Sequence, residues 1–232
     1  MEERVPTPDA RGAWRPIAVV GLLVALGGVA AMVSPWLDPP ANEAAPAAFA
    51  AYYQAERDGL LVLAYLNALG MAAIAAVFVA LREALGRWQP TWAAVGLAAG
   101  LLTLAMTLAG FVVLAALAYR GGEAESARQL TDLGWLLIDL AAGPPTALSI
   151  GAFTAALARS PASRPWLLGL GAIAAAAHLV VAGAFAADGA LSPAGLVAHV
   201  VPCLWFAWVA SACLVLLRLS RATAPTAAAA GR

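Results

Sequence analysis

The sequence predicts an all-α fold: a polytopic transmembrane bundle of six helices, both termini cytoplasmic, with the fourth helix kinked at a Gly-Pro-Pro. Three observations predict it. Hydrophobic residues make up 63% of the chain and charged residues 11%, whereas soluble domains carry roughly 25% charge. The apolar residues gather into six runs bounded by charge or Pro, each near the ~20 helical residues that cross a bilayer. The arginines, finally, keep to alternate loops.

The runs are about 16–34, 59–81, 91–118, 133–157, 166–187 and 197–217. They define a membrane domain over 16–218, a cytoplasmic tail 1–15, and a low-complexity tail 219–232 expected to be disordered. There are 13 arginines and no lysine. Arg4, Arg11, Arg15, Arg82, Arg87, Arg159, Arg164, Arg218, Arg221 and Arg232 share one side of the membrane, against Arg57, Arg120 and Arg128 on the other. The positive-inside rule makes the arginine-rich side cytoplasmic. An even number of spans agrees.

The first run follows an Arg-containing tail, as a signal peptide would. Its core, Ile17 to Val33, exceeds the usual ~7–15 residue apolar region and has no small-x-small cleavage site, so it is expected to be a retained span. Gly21, Ala25, Gly28 and Met32 form a stripe of small or slender residues on it. The outer segment SPWLDPPANEAAP, Ser34 to Pro46, reads as extended. From Ala47 the pattern AAFAAYYQAERD predicts a short interfacial helix, with Pro46 in its first turn and Phe49, Tyr52 and Tyr53 on one face.

Span three carries Gly96, Gly100, Thr103, Thr107 and Gly110 at four-three-four-three spacing. Small residues let helix backbones approach closely, and such a stripe reads as a packing seam within the chain or as the seam of a homo-oligomer. Cys203 and Cys213 lie ten helical residues apart in span six. That is about 15 Å, beyond the reach of a disulfide, so both are expected as thiols.

Span four breaks the pattern. Asp139 is the only carboxylate well inside an apolar run, and Gly143, Pro144 and Pro145 follow it. Each proline lacks an amide hydrogen, so the carbonyls of Leu140 and Ala141 lose their helical partners and need others. Asp139, Ala142, Thr146, Ser149 and Phe153 fall on one stripe at three-four spacing. By the predicted topology Asn67, Asp139, His178 and His199 all sit in the outer half of the bilayer, as an outward-facing polar pocket requires. Asp139, His178, His199, Asn67 and Thr146 are therefore the candidates for a ligand or proton site. A second kink is expected near Pro202.

Composition and motif exclude other classes. Zero net charge leaves no basic face for nucleic acid. The chain has no zinc-type Cys/His spacing, Gly-rich phosphate loop or Gly-x-Ser-x-Gly elbow, so no cofactor or metal is expected. The partners expected are the bilayer itself and, laterally, a second copy or another membrane protein.

The stretch ESARQLTDLGWLLIDLAAG, residues 125–143, together with Pro165-Trp166-Leu167-Leu168-Gly169, Ala80-Leu81-Arg82 and Leu216-Leu217-Arg218, resembles a six-span bacterial membrane-protein family, domain of unknown function four-three-eight-six. There a Gln-Leu stretch precedes a span containing Leu-x-Asp-Leu. The resemblance covers about residues 16–220 and implies the six-span architecture and no activity. Ala141 departs from the polar His or Asn that the family often places after the aspartate.

Three functional readings follow. The first is a non-catalytic protein of the cell membrane, acting through lateral helix contacts or through an outward-facing polar pocket for a small or lipid-like ligand. A small proton-coupled transporter using Asp139 is the second; discontinuous helices line such sites. The third is a membrane enzyme with Asp139 and His178 or His199 as acid and base, which requires them within hydrogen-bond reach of each other or of a substrate. The sequence leans away from the enzyme.

Overall fold

The computed structural model describes residues 8–32, 40, 44–183 and 196–221. Among these, helices occupy Pro8–Met32 (α1), Pro46–Ala55 (α2), Arg57–Leu85 (α3), Pro90–Arg120 (α4), Ala124–Trp135 (α5), Gly143–Ala158 (α6), Pro165–Ala182 (α7) and Leu196–Arg221 (α8), with a π-helical turn over Leu136–Ala141 joining α5 to α6. Six helical stretches are long and apolar enough to cross a membrane: Gly12–Ala31, Arg57–Leu85, Pro90–Arg120, Ala124–Ala158, Pro165–Ala182 and Val200–Arg221.

The helix ends follow local chemistry. Prolines open α2, α4 and α7 within their first two residues, where a missing N–H costs nothing because the first turn has no intrahelical acceptor; Pro144 and Pro145 of α6 follow directly on the π segment and withhold helical donors from its last carbonyls. Gly121 ends α4 at φ 63°, and its N–H donates to Leu117 O at 2.9 Å. A left-handed residue at that position closes a helix cheaply only when it is Gly.

Two ends lie well outside the apolar runs. Helix α1 starts at Pro8 and passes through Pro16, so it takes in half of the segment 1–15 read as a tail. Trp14, 2% exposed, explains the extension: its ring docks on the core and its Nε1 lies 3.4 Å from Glu83 Oε2. Helix α5 starts at Ala124, nine residues before the run at 133, because its polar first turns pack against α2. The tail after Arg221, the segment 33–39 and the end of span five past Gly183 lie outside the described residues.

Each long helix packs on two or more others: α1 on α8 and α3, α3 on α4, α4 on α6, α6 on α7, and α7 on α8. A main core runs through α1, α3, α4, α6, α7 and α8. At its centre the rings of Phe78, Phe153 and Trp208 meet at centroid distances of 5.8, 6.2 and 6.5 Å. A satellite cluster of Phe49, Tyr53, Leu117, Ala118 and Ala127 ties α2 to α4 and α5. Of the three aromatics read as one interfacial face, Phe49 and Tyr53 are buried there, and only Tyr52 is partly exposed.

Candidate functional site

The stripe on α4 and the stripe on the fourth span prove to be two sides of one seam. A Cβ at Gly96 would lie 2.8 Å from the Phe153 ring, and one at Gly100 would lie 2.5 Å from Phe78 and 2.9 Å from Ser149 Oγ. The Ser149 hydroxyl donates across the seam to Gly96 O at 2.8 Å. Thr146 donates to Ala142 O at 2.6 Å and Thr103 to Ala99 O at 3.0 Å, with their hydroxyls 3.2 Å apart. Thr146, 4% exposed, is therefore part of a closed helix–helix contact. The α1 stripe is used likewise: Gly21 packs on Val77 and Cys213, and Gly28 on Phe206.

At the π turn the seam changes register. The residue against Gly110 is Ile138, with Gly134 O beside it. The face toward α4 is thus Gly134, Ile138, Ala142, Thr146, Ser149, Phe153, and its first three gaps are all four residues. A 3.6-residue helix would carry that face away from α4, so the backbone widens: Ala142 N–H donates to Leu137 O, five residues back, at 3.2 Å. The extra residue displaces Asp139 from the seam on which regular spacing would put it. Asp139 is partly buried and engaged by a neighbouring group, and its π segment packs on α4, α5, α6 and α7.

Contacts of α6 with α7 fix the level of His178. A Cβ at Gly143 would lie 2.7 Å from Ala182 Cβ and 3.0 Å from His178 O, while Gly171 abuts Thr154. Both contacts belong to one antiparallel register, which sets His178 eight positions, about 12 Å at 1.5 Å per residue, along the axis from the level of Asp139. Side chains lean toward the N-terminus of their own helix, so in antiparallel helices these two lean apart. His178 is buried at 8% exposure, and its Nδ1 lies 2.8 Å from Ala174 O. A carbonyl only accepts, so Nδ1 carries the proton. The register does not bring Asp139 and His178 together as an acid–base pair.

Asn67 satisfies itself locally, its Nδ2 donating to Leu63 O at 3.0 Å. Its helix α3 packs on α1, α4, α6 and α8 and shares no substantial contact with the π segment. The side chain of His199 lies outside the described residues. Both cysteines are free thiols, Cys213 buried and Cys203 partly so. Among the described residues no three His, Cys, Asp or Glu side chains gather as ligands for a metal ion.

Burial along the helices is uneven. The inward stripe of α3 is buried at Ile74, Phe78, Leu81 and Leu85 but only partly buried at Leu60, Leu63, Asn67 and Met71. In α8, residues 202–207 are all partly buried, and the buried series resumes at Trp208. The π segment contains no buried residue. Thus α3 loses burial toward the α2 end, while α8 over 202–207 and the fourth span over Leu136–Ala141 are at most partly buried between buried neighbours, Val201 and Trp208 on one and Gly134 and Ala142 on the other.

Sequence reasoning missed two contacts. One is the Tyr53 hydroxyl, 3.1 Å from Thr131 Oγ1 in the α2–α5 junction; two residues 78 apart leave no local signal of meeting. The other is the π turn, which the run of four-residue gaps from Gly134 to Thr146 did encode. No known protein family, curated protein or solved structure matches the chain.

Proposed function

We propose that this chain is a non-catalytic multi-pass protein of the cell membrane, with cytoplasmic termini and an outward-facing vestibule for a small or lipid-like ligand. The supporting observation is the partial burial of the inward stripe of α3 from Leu60 to Met71, of α8 over 202–207 and of the π segment. Where the aromatic cluster closes the core, the same inward stripes are dry. Beyond it, Asn67 and its neighbours on the inward stripe of α3 remain partly exposed. If the helices part where these stripes are only partly buried, the space between them is a mainly apolar cleft with a few polar groups, which is what small-molecule sites are made of. The small-residue stripes that would serve a lateral partner are occupied within the chain itself, which favours the vestibule over lateral contacts.

Cysteine accessibility tests the reading. In a Cys203→Ser, Cys213→Ala background, Asn67→Cys should react with a membrane-impermeant maleimide in intact cells. Leu66→Cys, on the lipid face, and Phe78→Cys, in the core, should not. Labelling only in inverted vesicles would keep the vestibule and reverse its orientation; no labelling from either side would remove it.

A proton-coupled carrier is the second reading, favoured by the π turn beside Asp139, since such turns concentrate at functional sites. The packed core around Phe78, Phe153 and Trp208 would then have to part during each cycle. Flux driven by a pH gradient in proteoliposomes, lost in Asp139→Asn, would establish the carrier.

A further inference from the structure

The distal ring nitrogen of His178, a residue 8% exposed, is an acceptor without a donor. Nδ1 holds its proton against Ala174 O at 2.8 Å, which leaves the lone pair on Nε2. Nε2 has no hydrogen-bond partner among the described residues. The one side-chain polar atom among them that is both sealed and unpartnered is Thr154 Oγ1, so Nε2 touches open space. That space lies inside the bundle. His178 shares the inward stripe of α7 with Leu167, Gly171, Ala174 and Val181, all buried, while Ile173, Leu179 and Val180 on the opposite face are exposed. Gly171 abuts Thr154, the chain neighbour of Phe153. His178 follows two helical turns later, about 10 Å beyond the ring cluster toward the α2 end. There the inward stripe of α3 is only partly buried and, apart from Asn67, apolar.

We propose that His178 Nε2 accepts a hydrogen bond from the hydroxyl headgroup of a single-chain amphiphile, a long-chain alcohol, whose tail lies along that apolar stripe. An unpaired acceptor in an apolar setting is costly, and only a donor relieves it. A carboxylate or phosphodiester head has no proton to give at neutral pH. An ammonium has protons but would have to shed its hydration to reach this depth. A hydroxyl donates without carrying a charge. The inference rests on the vestibule and names the head of the ligand that the vestibule holds.

The chain has two histidines, so His199→Gln leaves a single imidazole to observe. With isotope-labelled histidine, in phosphatidylcholine nanodiscs, the nitrogen NMR signal of Nε2 should move upfield when dodecanol is added, as an imidazole lone pair does on accepting a hydrogen bond. Dodecane and the methyl ether of dodecanol, which cannot donate, should leave it in place. Radiolabelled dodecanol should bind His178→Phe about tenfold more weakly than the wild type, with the ether bound equally by both. A signal moved as far by the ether as by the alcohol, or equal affinity of the two proteins for the alcohol, would overturn the proposal. So would an Nε2 signal already upfield and unmoved by dodecanol, since water would then hold the site. If His178→Phe fails to fold, the NMR titrations with the three compounds decide alone. Maleimide labelling of Asn67→Cys separates this inference from the vestibule. Labelling together with an unmoved Nε2 signal keeps the vestibule and defeats the headgroup assignment; no labelling from either side defeats both.

Discussion

Tyr53 shows how one buried hydroxyl ties an outer helix to the membrane helices. Thr131 Oγ1 lies 2.7 Å from Ala127 O and 3.1 Å from Tyr53 Oη. The carbonyl can only accept, so the Thr131 proton goes there, and the Tyr53 hydroxyl donates to the oxygen of Thr131. Burial pushes the phenol above its ordinary 10.0; the Thr131 hydroxyl, turning to donate to the phenolate once it forms, opposes that rise. A raised value means that the folded state holds the proton more tightly than the unfolded chain. The associated stability is whole below 10.0 and falls as pH climbs through the folded value. Thermal unfolding of the wild type should therefore weaken in that alkaline window. Tyr53→Phe should lose about 1 kcal/mol at neutral pH and show a flatter alkaline limb; an identical limb would mean another group titrates.

The fourth span belongs to the scale of elements. Its contact face uses gaps of four, four, four, three and four from Gly134 to Phe153, and a widened turn absorbs the surplus residue. Removing one residue between Ile138 and Ala142 would make the gaps four, three, four, three, four, which a regular α-helix satisfies. Deletion of Ala141 should thus fold, keep the seam against Gly96, Gly100 and Gly110, and melt no lower than the wild type. A drop of more than a few degrees in Tm would show that the π turn is structurally required. If the deletion folds well but ligand response or flux is lost, the extra residue serves Asp139. By the same logic a Cβ at Gly100, 2.5 Å from a Phe78 ring that cannot move, should make Gly100→Ala cost about 1–3 kcal/mol from overpacking, measured by equilibrium unfolding in detergent.

At the scale of the whole molecule, packing and charge are both polarised along the helices. The end away from α2 combines the main core with the arginines, and the α2 end combines the small buried α2–α4–α5 cluster with a partly buried α3, Asn67, Asp139 and a surplus of carboxylates. Stability should follow this polarity. Phe78→Ala, at 1% exposure, should cost about 3–5 kcal/mol, whereas Leu63→Ala, one partly exposed turn before Asn67 on the same helix, should cost well under half of that. Equal losses at the two positions would show that the α2 half is as tightly packed as the other.

The six apolar helices were legible in the sequence because crossing hydrocarbon leaves few ways to satisfy a backbone, and composition reports that constraint directly. The α1 and α4 stripes were legible for a related reason: close helix approach demands small residues at helical spacing, and Gly96, Gly100 and Gly110 carry it in plain view. Which stripe faces which was not legible, since spacing along one helix holds no record of its neighbour. Thr146 and Ser149 looked like the wall of a polar pocket until α4 was placed against them. Asp139 could be recognised as a costly residue in an apolar run, yet its direction depended on the π turn, and its distance from His178 on how α6 slides along α7. Backbone chemistry and solvation are written residue by residue and can be read from the chain alone; register between helices is a sum over both partners, and only the folded molecule evaluates it.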